Sequence, residues 1–201
     1  MHTNFKALTS LILLFFALSL ATVQAQQVFN TTAKDSLAAA GQYSTGGFAT
    51  IVIDRPIAVA AAMVTDVQAW PKINIGVTKA IHLVGDTLKI GAVFQETIAS
   101  PIPGIADWTN SWLVEEYIPG EKFVISGAEN FAKAPIYSRL TYTFEALSPN
   151  STRYSRKIEV SLDASFLNEA SSLETEALYR FLGSQYEMVR HLKKYVEANS
   201  L

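Results

Sequence analysis

Four polar side chains occupy positions where the surrounding pattern is apolar. Glu96, Asn110 and Arg156 share the strand-like alternation of their apolar neighbours, and Gln185 lies on the apolar face of a helical pattern. An arginine inside a protein binds a carboxylate or an enolate through two hydrogen bonds at once. Burial raises the pKa of a glutamate and makes it a better proton acceptor. These residues therefore predict polar contacts with a small molecule inside an apolar interior.

Four aromatic residues have the same parity as these polar side chains. Trp108 and Trp112 fall on one face of a strand-like segment, and Tyr142 and Tyr154 fall on the equivalent faces of two later segments. Tryptophans on such a face form the wall of a core or of a cavity. A tyrosine hydroxyl there donates to a ligand carbonyl or serves only the packing of the core. We predict that these four residues complete the ligand-binding set.

Three alternative arrangements would leave Glu96 and Arg156 without a ligand. In the first, the two side chains pair with each other. In the second they lie in water at a strand end, and in the third a β-bulge turns them to the outer face of the sheet. A shift of one residue in register inverts every facial assignment. The enzymatic interpretation requires both side chains to face the interior without pairing.

The elements that position these residues follow from periodicity and turn signals. Residues 48–54 form an apolar strand after Gly46-Gly47, which we expect to break the chain, and Pro56 then begins an alanine-rich helix. A second short helical piece covers 66–71 and is interrupted by Pro71. Alternation and turn residues predict six further strands in an antiparallel sheet, at 76–84, 91–99, 106–117, 121–128, 136–147 and 152–163.

The last element is an amphipathic helix. Apolar residues recur at alternating spacings of four and three over 169–198, with charged residues on the opposite side. The pattern predicts one helix of about eight turns, long enough to cross the whole domain.

Composition excludes several kinds of chemistry. Of the 201 residues, 49% are hydrophobic and 17% are charged, which suits a folded core. The 16 basic and 18 acidic side chains form no basic run, so we expect no nucleic-acid partner. The absence of cysteine excludes disulfides and thiolate ligands, and three scattered histidines argue against a metal site. We expect neither a metal nor a cofactor.

The first 25 residues have the pattern of a secretory signal. Lys6 precedes an apolar stretch of about 14 residues, which is shorter than the roughly 20 of a spanning helix. Small residues then precede a cleavage point near Ala25-Gln26. We expect a signal peptide at 1–25, an N-terminal extension at 26–45 and one domain at 46–199. The mature protein is then secreted or periplasmic, without a stable membrane anchor.

Four sequence segments resemble the SRPBCC or START-like helix-grip superfamily in their order and spacing, and in particular its polyketide cyclase/dehydrase-like and lipid-transport-like members. They are IDRPIAVAAAMVTDVQAWPK (53–72), GAVFQET (91–97), EEYIPGEKFVISG (115–127) and YTFEAL (142–147). The resemblance implies an α+β fold in which a curved antiparallel β-sheet wraps around a long C-terminal α-helix. Two short helices follow the first strand, and an elongated cavity lies between sheet and helix.

Together with the predicted signal, the resemblance leads to two functional predictions. The first is a protein, exported by that signal, that holds an apolar small molecule or a lipid in the cavity that the resemblance implies. The alternative is a polyketide cyclase/dehydrase-like enzyme that acts there on an aromatic or polyketide-like substrate. The matched segments belong to the scaffold and do not distinguish a binding protein from an enzyme.

Overall fold

The computed structural model describes residues 43–84, 89–131, 134–162, 166 and 170–199. The predicted signal peptide and residues 26–42 of the predicted extension lie outside these ranges. In chain order the elements are β1 (Tyr43–Ile53), α1 (Ile57–Thr65), a 3-10 turn (Val67–Ala69), α2 (Trp70–Ile73), β2 (Thr78–Val84), β3 (Val93–Ile98), β4 (Trp108–Ile118), β5 (Lys122–Phe131), β6 (Ala134–Ser148), β7 (Ser151–Leu162), α3 (Ser172–Gly183) and α4 (Gln185–Ala198). None of the helices in these ranges is long and apolar enough to cross a membrane.

The seven strands form one antiparallel sheet in the order β1-β7-β6-β5-β4-β3-β2. Strands β2 to β7 follow one another as neighbours, as the short turns between them predict. The first strand joins the last one, and Gly47 lies opposite Ile158. Helix α4 packs against β1 and β7 and against the two short helices. The prediction of a curved antiparallel sheet that holds C-terminal helices is confirmed.

The predicted inner faces of the strands are correct. Along β7, burial alternates with a period of two, so that Tyr154, Arg156 and Ile158 are buried while Arg153 and Lys157 are exposed. The corresponding residues of β3, β4 and β6 are buried with the same parity, except for Trp108, which is half-buried. Because the predicted register holds, the polar residues of the candidate set share the interior with the core.

The second short helical segment differs from its prediction at Pro71. Proline was expected to interrupt the helix, whereas it lies in the first turn of α2. An N–H at that position has no partner inside a helix, so its loss costs nothing there. Trp70 anchors this turn, because its indole Nε1 donates to the Val64 carbonyl over 2.9 Å. Pro71 therefore starts a helix that leads into β2.

The predicted single C-terminal helix is divided into two at Ser184. The Ser184 hydroxyl donates to the Phe181 carbonyl over 2.6 Å, and the Gln185 side-chain amide donates to the same oxygen over 3.1 Å. The Ser184 N–H also turns back to Phe181 and Arg180. Side-chain donors of this kind compete with the regular backbone ladder and bend helices. The division places Gln185 at the first position of α4, against the sheet.

Strand β1 begins earlier than predicted and runs through Gly46-Gly47. These glycines allow close approach and do not end the strand. A Cβ atom on Gly46 would lie 2.2 Å from the Ile158 carbonyl oxygen, and one on Gly47 would lie 2.8 Å from the Leu182 oxygen and from Gln185 Cγ. Glycine is therefore required where β1 meets β7 and the C-terminal helices.

Candidate ligand-binding site

A small cavity lies between the sheet and the helices around Arg156. Its empty volume is about 250 Å³ including its opening, and a single water molecule fits inside. We call it the Arg156 cavity; it is lined by Val64, Trp70, Ile73, Asn74, Tyr142, Tyr154, Arg156, Met188 and Leu192. A larger occupant requires side chains of this lining to move aside, and Met188 is a flexible side chain that can do so.

Arg156 brings a buried positive charge without an ion pair into this cavity. The side chain is 5% exposed, and its Nη1 atom has no hydrogen-bond partner. Among the described residues, no carboxylate oxygen lies within 4.0 Å of the guanidinium. A guanidinium stays charged at every physiological pH, and a buried charge without a counter-ion is costly. The cavity is therefore suited to an anion or a strong hydrogen-bond acceptor.

Tyr142 and Tyr154 form the aromatic wall beside Arg156. Their rings stack with centroids 6.4 Å apart and planes 16° apart, and the guanidinium carbon lies 5.8 Å from the Tyr142 centroid. Burial raises the pKa of Tyr142 to about 12, and burial also raises the pKa of Tyr154. Both hydroxyls therefore stay protonated and can act as hydrogen-bond donors.

Glu96 is buried on the same interior face and does not pair with Arg156. The Thr78 hydroxyl donates to Glu96 Oε1 over 2.5 Å, and the Trp112 indole donates to Oε2 over 2.9 Å. Burial raises the pKa of Glu96; the two hydrogen bonds and the charge of Arg156 oppose that rise without cancelling it. Of the arrangements considered from the sequence, the structure has the one with both side chains inside and no ion pair between them.

Two residues that the sequence analysis missed connect Glu96 to the Arg156 cavity. Asn74 lines the cavity, and its side-chain amide donates to the Thr78 hydroxyl over 3.3 Å. Thr78 then donates to Glu96, so a chain of three side chains joins the cavity to the carboxylate. Asn74 directly follows α2, and Thr78 is the first residue of β2. At such a junction neither helical nor strand periodicity predicts which side chains face the interior. The sequence held no signal for either residue.

The remaining predicted residues lie in the interior but outside the lining of the Arg156 cavity. Asn110 is the cross-strand neighbour of Glu96, and its Oδ1 atom is buried without a partner. Gln185 is 2% exposed, and its Oε1 atom also lacks a partner. Trp108 is half-buried and meets Phe181 edge-to-face at 5.9 Å. That these residues contact a ligand stays a prediction.

The raised pKa of Glu96 predicts a specific pH dependence of stability. Between its ordinary pKa of 4.5 and its higher folded pKa, the folded protein holds a proton that the unfolded chain releases. This contribution of Glu96 is therefore greatest below about pH 4.5 and declines as pH rises. Glu96→Gln removes the decline, so the variant should gain stability relative to the wild type between pH 4 and pH 8. Urea denaturation at both pH values measures this difference.

Glu116→Gln is the matched control for that measurement. Glu116 is partly exposed and forms an ion pair of 2.8 Å with Lys122. Loss of a surface ion pair costs about 1 kcal/mol or less. The difference in free energy of unfolding between Glu96→Gln and the wild type should grow in favour of the variant from pH 4 to pH 8. A difference that stays constant or falls over this range would contradict the raised pKa of Glu96.

No group of three His, Cys, Asp or Glu side chains within the described ranges could hold a metal ion.

The chain matches no protein-family model and no curated protein. Many solved structures match it along most of its length, and three of them follow. The ZhuI aromatase/cyclase from Streptomyces sp. R1128 has a TM-score of 0.60 at 11% identity, over 77% of this chain and 94% of that one. Norcoclaurine synthase from Thalictrum flavum, in complex with dopamine and hydroxybenzaldehyde, has a TM-score of 0.56 at 10% identity, over 80% and 90%. Ara h 8.0201 has a TM-score of 0.55 at 13% identity, over 79% and 100%. The likeness shows that the chain has the helix-grip fold of these proteins.

Proposed function

We propose that this protein binds an apolar small molecule or lipid between the sheet and the C-terminal helices, and that Arg156 holds its anionic or carbonyl end. The observation that supports this most directly is the buried guanidinium with an unpaired Nη1 atom. A ligand oxygen there satisfies the free donor and offsets the cost of the buried charge. The aromatic and aliphatic lining suits the apolar body once its side chains have moved apart, because the cavity otherwise holds a single water molecule.

The fold supports the proposal independently. One structure of the same fold contains two small aromatic molecules, dopamine and hydroxybenzaldehyde, and another is an aromatase/cyclase. The chain shares only 10% and 11% of its residues with them. Fold alone does not carry a function across such a distance. The identity of the ligand must therefore come from this chain's own side chains.

We also propose that the protein works outside the cytoplasm. The predicted cleavage between Ala25 and Gln26 removes the apolar leader and leaves the helix-grip domain intact, because β1 begins at Tyr43.

Both proposals are tested on protein purified after export. We expect the intact mass of a chain that begins at Gln26. We also expect an organic extract of that protein to contain an apolar molecule in an amount stoichiometric with the protein. The molecule should carry a carboxylate, phenolate or carbonyl group. A blank purification from cells without the gene is the control. A mass that retains the leader contradicts export, and an extract without a stoichiometric molecule contradicts a tight carrier.

The enzymatic alternative is favoured by one observation. Glu96 and Arg156 share the interior without an ion pair, and Asn74 and Thr78 connect the carboxylate to the cavity. In an enzyme, a substrate that reaches Glu96 gives up a proton to its carboxylate, while Arg156 stabilises the negative charge that this leaves on the substrate. Glu96→Gln distinguishes the two functions. In a carrier the variant retains the bound molecule, whereas in an enzyme it retains binding and loses conversion.

A further inference from the structure

Gln185 presents a hydrogen-bond acceptor beside the Arg156 cavity. Its Nε2 atom donates to the Phe181 carbonyl, and this bond fixes the orientation of the amide. The opposite atom, Oε1, is buried and has no partner. A buried carbonyl oxygen without a donor is disfavoured, because it has lost its hydrogen bonds to water.

Several features of the fold cooperate to place this amide. Gln185 opens α4 directly after the division of the C-terminal helix at Ser184. Gly47 of β1 lies against it, and a Cβ atom there would come within 2.8 Å of Gln185 Cγ. Methionine or leucine would fill the same space without an unpaired atom.

The register places Gln185 next to Arg156. Gly47 lies opposite Ile158, and Ile158 follows Arg156 by two residues on the inner face of β7. Two residues along a strand span roughly 7 Å. Met188, one turn after Gln185 on α4, already lines the Arg156 cavity. The unpaired donor of Arg156 and the unpaired acceptor of Gln185 therefore occupy adjacent parts of one interior.

We infer that the ligand carries a hydroxyl group, which donates to Gln185 Oε1 while Arg156 holds an acidic or carbonyl end. This inference rests on the proposed function and narrows it to hydroxylated amphiphiles such as hydroxy acids. A plain fatty acid leaves Oε1 unsatisfied. Asn110 Oδ1, which is also buried and unpaired, offers a second acceptor further along the interior.

Titration calorimetry with decanoate and its 2-, 3- and 10-hydroxy derivatives tests the inference. We expect at least one hydroxylated acid to bind the wild type about tenfold more tightly than decanoate. Gln185→Met should abolish that preference, so that the hydroxylated acid binds the variant no more tightly than decanoate does. The unliganded variant should melt at the same temperature as the wild type or higher, because Ser184 still donates twice to the Phe181 carbonyl.

Gln95→Met is the matched control. Gln95 lies on β3 with the opposite parity to Glu96, and its amide is 3.5 Å from the Ser111 hydroxyl. This variant should keep the wild-type preference for the hydroxylated acid. A structural role for Gln185 predicts instead a lower melting temperature and an unchanged preference, which would overturn the inference.

The failures of the two proposals are distinguishable. If decanoate binds through Arg156 and no hydroxyl group improves affinity, the hydroxyl inference is wrong and the proposed site stands. If none of the four acids binds, the hydroxyl inference is overturned for this class of ligand. The proposed function is then decided by the extracted molecule alone.

Discussion

Arg156→Met should lower the affinity for the bound molecule, or for decanoate, by about a hundredfold. Removing one partner of a buried, hydrogen-bonded charge pair costs about 2–5 kcal/mol, and 1.4 kcal/mol corresponds to a factor of ten. Arg156 is buried with an unpaired Nη1 atom, so a ligand anion at this position pairs with it away from water. Titration calorimetry on the two proteins measures the change.

The same substitution should not destabilise the unliganded protein. Methionine retains most of the apolar length of arginine and removes a buried charge that has no carboxylate partner among the described residues. It also removes the attraction between Arg156 and Glu96, so the pKa of Glu96 should rise further. We therefore expect an unchanged or higher melting temperature at pH 4, below the ordinary pKa of Glu96, where that rise has little effect on stability. An arginine that serves only the fold gives the opposite result, a lower melting temperature and an unchanged affinity.

Arg139→Met provides the surface control. Arg139 lies on β6 with the opposite parity to Tyr142, and its Nε atom donates to Glu115 over 2.9 Å. Loss of this partly exposed ion pair should cost about 1 kcal/mol or less. Ligand affinity should not change. Equal losses of affinity in the two variants would show that the effect depends on net charge and not on the cavity.

The sequence predicted the inner face of the sheet because strand alternation is a local signal. Arg156 and Glu96 each follow the parity of apolar neighbours two residues away, and burial of one face enforces that parity along the whole strand. The pairing of β1 with β7 could not be predicted in this way, since the two strands are separated by about a hundred residues. It depends on the curvature of the complete sheet.

The network around Glu96 shows where sequence reasoning ends. Trp112 was in the predicted set, because it follows the alternation of β4. Asn74 and Thr78 were not, because they occupy the irregular join between α2 and β2. The division of the last helix was also missed. The apolar pattern continues through Ser184, and the division is held by the hydrogen bonds of Ser184 to the Phe181 carbonyl, which periodicity does not encode.

Gly46-Gly47 was misinterpreted for a related reason. Two consecutive glycines usually weaken a strand, so the pattern predicted a break. In the fold they lie where β1 presses against the backbone of β7 and against the C-terminal helices. In the sequence, the two glycines show only that side chains are absent at these positions. The tertiary structure shows which neighbouring atoms leave no room for a side chain.

Gly46→Ala should therefore produce a large loss of stability. The added methyl would lie 2.2 Å from the Ile158 carbonyl oxygen and 3.4 Å from the Glu159 Cα atom. These are backbone atoms of the paired strand, so no side-chain rotation relieves the overlap. We expect a loss of about 3 kcal/mol, at the upper end of the usual cost of overpacking. In a domain of this size that corresponds to a fall in melting temperature of roughly 6–12 °C.

Two further glycine variants show whether the loss follows the local geometry. Gly47→Ala meets the Leu182 oxygen and the flexible Gln185 side chain, each at 2.8 Å, so part of the overlap can relax and the loss should be smaller. Gly183→Ala meets no atom within 4 Å at the end of α3 and should stabilise the protein by up to about 1 kcal/mol. Thermal melts of the three variants should follow the order Gly46, Gly47, Gly183, from the greatest loss to a gain. A Gly46→Ala protein as stable as the wild type would mean that β1 does not approach β7 this closely, and the placement of Gln185 against Gly47 would fail with it.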